Sequence, residues 1–346
     1  MSQPNEWPDG VPGPGGTRIL LSVPPAEKGA FFPPETRAAL DSIGRVTEWE
    51  PQVLQPVKAF GEALQGVHVL ITGWGFPRLD EARLALAPDL RLVMHSASSI
   101  RGLVSDDFWA SGLPVAQAGA AMAPAVAELS LAFTLSLLRR THRFDHALRV
   151  GQDWESARRV ERAREIRGAR IGVVGASRTG RQYIDMCRAL GADVQVFDPY
   201  VGAGDPLAAL TCGLPELLAG SDVVAVHAPD TSETRGMIGA AEIAALKDGA
   251  LVVNTARPAL IDMDALYEAA AQGRIDVALD VYDSEPLPVD DRWRALPNVL
   301  LTPHIAGATA DSRRRAGWIV VDEIRRFLAG QSLQHAVTRE ALGRMG

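Results

Sequence analysis

The sequence predicts an α/β protein with parallel sheets, divided into two domains. Its 346 residues compare with about 150 for an average domain. Short apolar runs alternate with helix-like segments, the pattern of parallel strands joined by crossover helices. That alternation runs twice, interrupted by a long helical stretch and a charged segment.

Residues 1–16 are rich in proline and glycine and read as a mobile lead-in. In the first half, strands are expected over Arg18–Val23, Val46–Trp49, His68–Gly73, Arg91–His95 and Leu113–Ala116. Pro34–Ile43 and Pro56–Leu64 have helical spacing, the first opened by prolines that suit a first turn. Pro124–Val150 reads as one long helix leaving the first domain, followed by the charged segment Glu155–Arg170. The second series of strands covers Arg170–Val174, Asp193–Phe197, Val223–His227, Leu251–Asn254, Val277–Val281 and Val299–Thr302. These are near-continuous apolar runs, as expected when helices cover both faces of a sheet. A helix over Ala310–Leu328 closes the series, and the tail from Gly330 returns towards the first domain.

Composition excludes several classes. Hydrophobic residues at 47% and charged residues at 22% fit a globular chain, not a disordered one. A net charge of -7 leaves no broad cationic face for nucleic acid or acidic lipid. Cys187 and Cys212, the two cysteines, are too few for a disulfide scaffold or a Cys-rich metal cluster, and no metal is expected. The start lacks the charged and apolar regions of a secretory signal. No uninterrupted apolar run approaches the roughly 20 residues of a membrane span. A soluble, cytoplasmic protein without membrane or nucleic-acid partners is the expectation.

The densest pattern is Arg170–Tyr200. A strand runs into Gly175-Ala-Ser177-Arg178-Thr179-Gly180, a helix follows, and a second strand ends at Asp198, 23 residues beyond Gly175. This is the layout of a dinucleotide-binding βαβ unit. Gly175 allows the tight turn, Gly180 lets helix and strand approach, and the helix N-terminus offers N–H groups to a pyrophosphate. Asp198 would accept from ribose hydroxyls and repel a 2′-phosphate, favouring NAD over NADP. Ser177 replaces the usual middle glycine, which adjusts the phosphate contact. Three further polar groups end apolar strands: Arg257 after Asn254, Asp280 with Glu285, and His304 after Leu301. A cation, carboxylates and an imidazole at one sheet edge can hold a carboxylate substrate and move one proton. Singly, each would more often be a surface ion pair, a loop cap or a satisfied histidine.

In order, VVGASRTG, VFDPY, VAVHAPDTSETRGMIG, LVVNTAR, ALDVYDSEPLP and NVLLTPHIAGAT resemble the D-isomer-specific 2-hydroxyacid dehydrogenases, over roughly Thr17 to Leu328. The resemblance implies two Rossmann-like domains with parallel sheets and an active site in the cleft between them. It implies a substrate-binding domain of 1–123 with returning segment 311–346, and an NAD-binding domain of 124–310. Arg257 matches the arginine that grips the substrate carboxylate and carbonyl oxygen. His304 matches the acid/base and Glu285 its partner, a carboxylate that favours the imidazolium. Asp280 resembles a carboxylate near the nicotinamide, and Thr255 a ribose or amide contact. His227, Ala228 and Pro229 resemble the loop lining the cofactor, with Arg178 and Thr179 beside the pyrophosphate.

In the first domain, the segment from His95 through Ala97, Ser98 and Ser99 stands where the family holds the substrate carboxylate on a glycine-rich loop. Pro258 stands where the family usually has glycine, which stiffens the loop. The resemblance thus implies an NAD-dependent oxidoreductase for a small 2-oxo or 2-hydroxy acid, glyoxylate- or hydroxypyruvate-like or larger, and a homodimer formed through residues near 136–170. On this resemblance, no regulatory C-terminal domain of the kind some phosphoglycerate dehydrogenases carry is expected. Glu285 stands where formate dehydrogenases of the family place glutamine. An NADH-sensing corepressor-like binding protein with little turnover is the alternative.

Elsewhere, His95 reads as structural, and His68, His142, His146 and His335 as surface or packing residues. Cys187 reads as a buried small apolar side chain, Trp154 as a packing anchor, and Arg313–Arg315 as a solvated helix start.

Overall fold

The computed structural model describes residues 15–50, 57–159 and 163–343. The expected lead-in therefore lies outside the described residues except for its last two glycines, as does Pro56 at the head of its helix. Two compact units result, one built from the described residues up to Met122 together with those from Thr309 onward, the other from Ala123–Ala308.

The first unit holds a parallel sheet of β1 (Arg18–Ser22), β2 (Arg45–Glu48), β3 (Val69–Thr72), β4 (Leu92–His95) and β5 (Val115–Gln117) in the order β2-β1-β3-β4-β5. β3 and β4 are buried along their whole length, which is why they read as unbroken apolar runs. Helix Ala310–Leu328 covers this sheet, its Val320, Val321, Ile324 and Leu328 packing with Ile19, Leu21 and Met94. Gly317 on that helix is obligatory, since a Cβ would lie 1.8 Å from the Phe31 carbonyl oxygen. At the start of the helix Arg314 and Arg315 are exposed, as expected, and Arg313 is half-buried. Arg313 pairs with Glu27, and Arg315 donates to the Ala121 carbonyl at 3.0 Å.

The second unit holds β6 (Arg170–Val174), β7 (Asp193–Phe197), β8 (Val223–Val226), β9 (Leu251–Asn254), β10 (Asp276–Leu279) and β11 (Val299–Leu301), all parallel, in the order β11-β10-β9-β8-β6-β7. The strand order reverses between β6 and β8, the switch point at which such sheets open a ligand crevice. β8, β10 and β11 end one or two residues before their expected ends, so His227, Asp280 and Thr302 lie just past the ladder.

The stretch expected as one long helix is two, Ala123–Leu138 and Thr141–Arg149. Arg140 between them takes a left-handed φ of 53°. Its guanidinium is buried and donates to Asp276 at 2.8 Å, and Arg143 donates to the same carboxylate at 2.9 Å. An ion pair formed across 136 residues thus breaks the helix without glycine or proline. Gly119–Leu138 is long and apolar enough to cross a bilayer. Yet Phe133, Leu137 and Leu138 pack into a core with Ile171, Val173, Tyr183 and Ile184, as a central helix of a globular unit does. Cys187 is fully buried in the same core. Trp154 is 66% exposed, so it anchors no packing within its unit.

Candidate active site

Because every strand of the second sheet runs the same way, the residues that follow them share one edge. Gly175 follows β6, His227 β8, Thr255 to Arg257 β9, Asp280 to Glu285 β10, and His304 β11.

The turn after β6 depends on two glycines. Gly175 has φ of +101°, and a Cβ there would lie 2.4 Å from the Ala228 backbone nitrogen. A Cβ on Gly180 would lie 2.1 Å from the Gly175 carbonyl oxygen. The helix Arg178–Ala189 can therefore start directly against the end of β8. Ser177 is its N-cap, the hydroxyl oxygen accepting from the Gly180 N–H at 3.2 Å. The Arg178 and Thr179 N–H groups, in the first turn, have no acceptor within the helix and find none among the described residues. Asp198 accepts from the Ala176 N–H at 2.7 Å and the Tyr200 N–H at 2.9 Å, which fixes its carboxylate beside the turn. A glycine cradle, open N–H groups at a helix start and a carboxylate past β7 fit NAD in its pyrophosphate and ribose portions.

His227 is sealed inside, its ring 4.9 Å from that of Tyr183, and its Nε2 has no hydrogen-bond partner among the described residues. Burial pushes its imidazole down to about 3, so it stays neutral. Pro229 accepts from the Thr234 hydroxyl at 2.5 Å, which ties down the loop beyond it. Thr255 is buried and hydrogen-bonded to Ser130 at 2.7 Å, joining the Arg257 loop to the central helix.

The arginine loop is held by a residue not singled out from sequence. Asn254, wholly buried, donates through Nδ2 to the Arg257 carbonyl at 2.9 Å and accepts at Oδ1 from the Ala256 N–H at 3.0 Å. Pro258 opens a short 3₁₀ turn, leaving Arg257 extended and half-buried. At β11, His304 Nδ1 lies 2.7 Å from Glu285 Oε2, while Glu285 Oε1 accepts from the Tyr282 N–H at 3.1 Å. His304 has φ of 53°. The bond between Glu285 and Pro286 is cis. Asp280 is fully buried, accepting from Thr302 Oγ1 and from the N–H groups of Ile305 and Ala306. Tyr282, also missed, has its hydroxyl 3.0 Å from the Leu279 carbonyl and 2.8 Å from that of Thr302. Both missed residues lie inside the quoted motifs; the signal was a polar group just past an apolar run.

In the first unit, the loop after β4 leaves Ala97 buried, Ser98 half-buried and Ser99 exposed. Ser96 anchors it to β3, its N–H and hydroxyl both donating to the Thr72 carbonyl at 2.9 Å. His95 is structural: it is buried, and its Nδ1 lies 2.9 Å from the Thr72 hydroxyl. Among the described residues, no group of three or more His, Cys, Asp or Glu is placed to hold a metal.

Comparison with known proteins agrees with this geometry. The NAD-binding domain of D-isomer specific 2-hydroxyacid dehydrogenases matches residues 131–306. The chain is 32% identical over 263 residues to the D-3-phosphoglycerate dehydrogenase of Archaeoglobus fulgidus, covering 75% of this chain and 49% of that protein. It thus spans about half the length of the curated phosphoglycerate dehydrogenases it matches. It is 36% identical over 217 residues to the hydroxypyruvate reductase of Thermotoga maritima, covering 62% of this chain and 69% of that protein. Against the glyoxylate reductase of Aeropyrum pernix, identity is 29% over 320 residues, covering 89% of this chain and 94% of that protein. The solved structure of D-2-hydroxyisocaproate dehydrogenase shares the fold with a TM-score of 0.82 and 24% identity, covering 93% of this chain and all of that one.

Proposed function

This chain belongs to the D-isomer specific 2-hydroxyacid dehydrogenase family, and from that premise we propose that it interconverts a small 2-oxo acid and the D-2-hydroxy acid with NAD(H). The observation that carries this reading is the His304–Glu285 pair at 2.7 Å, on the sheet edge that also bears Arg257 and the Gly175 turn.

NADH, when bound, supplies the hydride. The protein's own groups do the rest. Arg257 offers a planar fork of donors to the substrate carboxylate and stays charged throughout. With Nδ1 of His304 engaged by Glu285, the proton that moves is the one on Nε2, delivered to the carbonyl oxygen as the alcohol forms. In the reverse direction the same nitrogen takes it back. Glu285 stabilises the imidazolium and fixes the ring. Ser177, Arg178 and Thr179 would hold the pyrophosphate, and the Asp198 carboxylate supports NAD over NADP. Ala97, Ser98 and Ser99 would meet the substrate carboxylate. Glyoxylate- and hydroxypyruvate-like acids are the first substrates to try, because relatives of this chain are named for their reduction. The exposed apolar side chains of residues 148–154 support a homodimer.

The test is NADH oxidation against a panel of 2-oxo acids of increasing size, with NADPH in parallel. Turnover with NADH is expected, and the His304→Ala variant should lose about 10²- to 10⁴-fold in rate while still binding NADH. NADH binding without turnover of any oxo acid would overturn the reading in favour of a sensor. Activity with NADPH alone would overturn the role given to Asp198.

A further inference from the structure

In the second sheet β6 lies between β7 and β8, so the loops that follow β7 and β8 stand on either side of the Gly175 turn. A side-chain bond joins those two loops. Tyr200, three residues past β7, donates through its hydroxyl to Glu233 Oε2, which belongs to the loop after β8. The bond therefore spans the end of β6, where the glycine turn leads into the helix Arg178–Ala189. We propose that Tyr200 and Glu233 form a latch across the adenosine half of the NAD site, and that its opening sets how fast NAD(H) enters and leaves.

Each arm of the latch is braced by its own backbone. The Tyr200 N–H donates to Asp198 Oδ1 at 2.9 Å and the Val201 N–H to the Asp198 carbonyl at 3.3 Å, so the chain turns tightly where Tyr200 projects. On the opposite arm, the Thr234 hydroxyl donates to the Pro229 carbonyl at 2.5 Å and accepts from the Thr231 N–H at 2.9 Å. Arg235 pairs with Asp230 at 2.9 Å across the same turn. Movement is thus left to the two side chains. Tyr200 is 69% exposed, so packing does little to hold its ring, and the charge-assisted bond to a carboxylate gives it a fixed end. A dinucleotide with its pyrophosphate on the helix N-terminus and its ribose on Asp198 carries its adenine outward between these loops. A hydroxyl and a carboxylate in hydrogen bond leave no gap for a purine to pass. The latch joins two protein groups and uses no cofactor atom, so it forms alike over an occupied and an empty site. Exposed side chains flip within nanoseconds, far faster than binding, so entry and exit are both scaled by the fraction of time the latch is open. Affinity is then unchanged. A side chain that touched the bound adenine would act differently, weakening affinity through exit alone.

The latch rests on the cofactor reading of the Gly175 turn, and its test tells the two apart. NADH association and dissociation are followed by stopped-flow fluorescence, with excess NAD displacing NADH in the dissociation arm. The unaltered chain is compared with Tyr200→Phe, Glu233→Ala and the double variant. Tyr200→Phe keeps the ring and removes only the hydroxyl. Both rate constants should rise by about three- to tenfold, while the NADH Kd stays within about twofold. Glu233→Ala should do the same. The double variant should be no faster than either single one, because one and the same bond is lost in all three. Tyr200 and Glu233 are both exposed, so these substitutions leave the core intact. Unchanged rates in Tyr200→Phe, with NADH still binding, would overturn the latch and leave the cofactor site standing. Faster dissociation with unchanged association would overturn it as well, and make Tyr200 a contact to bound adenosine. Effects that multiply in the double variant would refute the pairing of the two residues. Should the unaltered chain bind no NADH, the cofactor reading fails and the latch with it.

Discussion

His227 and His95 each end a central strand and are sealed from solvent, and burial alone pushes their imidazoles down to about 3 and about 4. Neither faces a carboxylate in a hydrogen bond: His95 meets a threonine hydroxyl and His227 the ring of Tyr183. His304 is exposed and paired with Glu285, the opposite arrangement, which suits the acid/base role proposed for it. The buried pair has a consequence for stability. Their folded values lie below the ordinary unfolded value near 6.5, so below that pH the unfolded chain binds more protons than the folded one. Stability should be intact above about pH 7 and fall as pH drops from 6.5 towards 4, by up to about 1.4 kcal/mol per pH unit for each histidine. Denaturant melts of each unit's transition at pH 7 and pH 5 check this. His227→Gln should remove the pH dependence of the second unit's transition, whatever it does to the absolute midpoint.

Between strand and helix, the decisive contacts are those a side chain would destroy. Gly180→Ala would set a methyl 2.1 Å from the Gly175 carbonyl oxygen, and that oxygen is part of a turn already pressed against Ala228. Nothing flexible can give way, so helix and strand must separate. We expect a loss of about 2 kcal/mol or more in stability and NADH affinity weakened by at least about tenfold, read by thermal melts and fluorescence titration. A variant with normal affinity would mean that the close approach is not needed for the cofactor. This glycine was legible in the sequence because its requirement is local, set by the turn and helix beside it. The buried strands were legible for a similar reason: a strand covered on both faces can only be apolar, and β6 and β9 match their expected bounds, as does the half-buried edge strand β7. The break at Arg140 was not legible, because no local residue demands it. It is fixed by Asp276, far along the chain, whose carboxylate is held below its usual range with His142 and Arg143 among the groups that lower it, against the opposing effect of burial. The roles of Asn254 and Tyr282 escaped for the same reason. Residue type and position were visible, but which backbone groups each would grip depends on how three strand ends come together.

At the scale of the whole molecule, the second unit leaves apolar surface uncovered along one stretch that follows the helix break. Leu148 is 50% exposed, Val150 58% and Trp154 66%. The helix bearing Leu148 also carries Phe144 and a buried Ala147, and its remaining side chains are polar or charged, with Arg149 paired to Asp145 at 2.7 Å. Scattered apolar residues need no explanation, but a large indole beside two aliphatic side chains on one short stretch is the composition of an interface centre with a polar rim. A second copy of the chain would cover it symmetrically, each stretch meeting its equivalent or a neighbouring face. A stable dimer needs about 800 Å² buried on each partner, with aromatic residues at its energetic centre. Sedimentation velocity at micromolar concentration should therefore give the mass of a dimer. The Trp154→Glu variant should move the equilibrium towards monomer by about tenfold or more in dissociation constant, because a carboxylate would have to be desolvated where an indole was buried. Neither substrate-binding nor cofactor-binding groups lie in this stretch, so NADH titration of the dissociated variant separates loss of assembly from loss of the site. A monomeric mass for the unaltered chain would assign this apolar stretch to some other role.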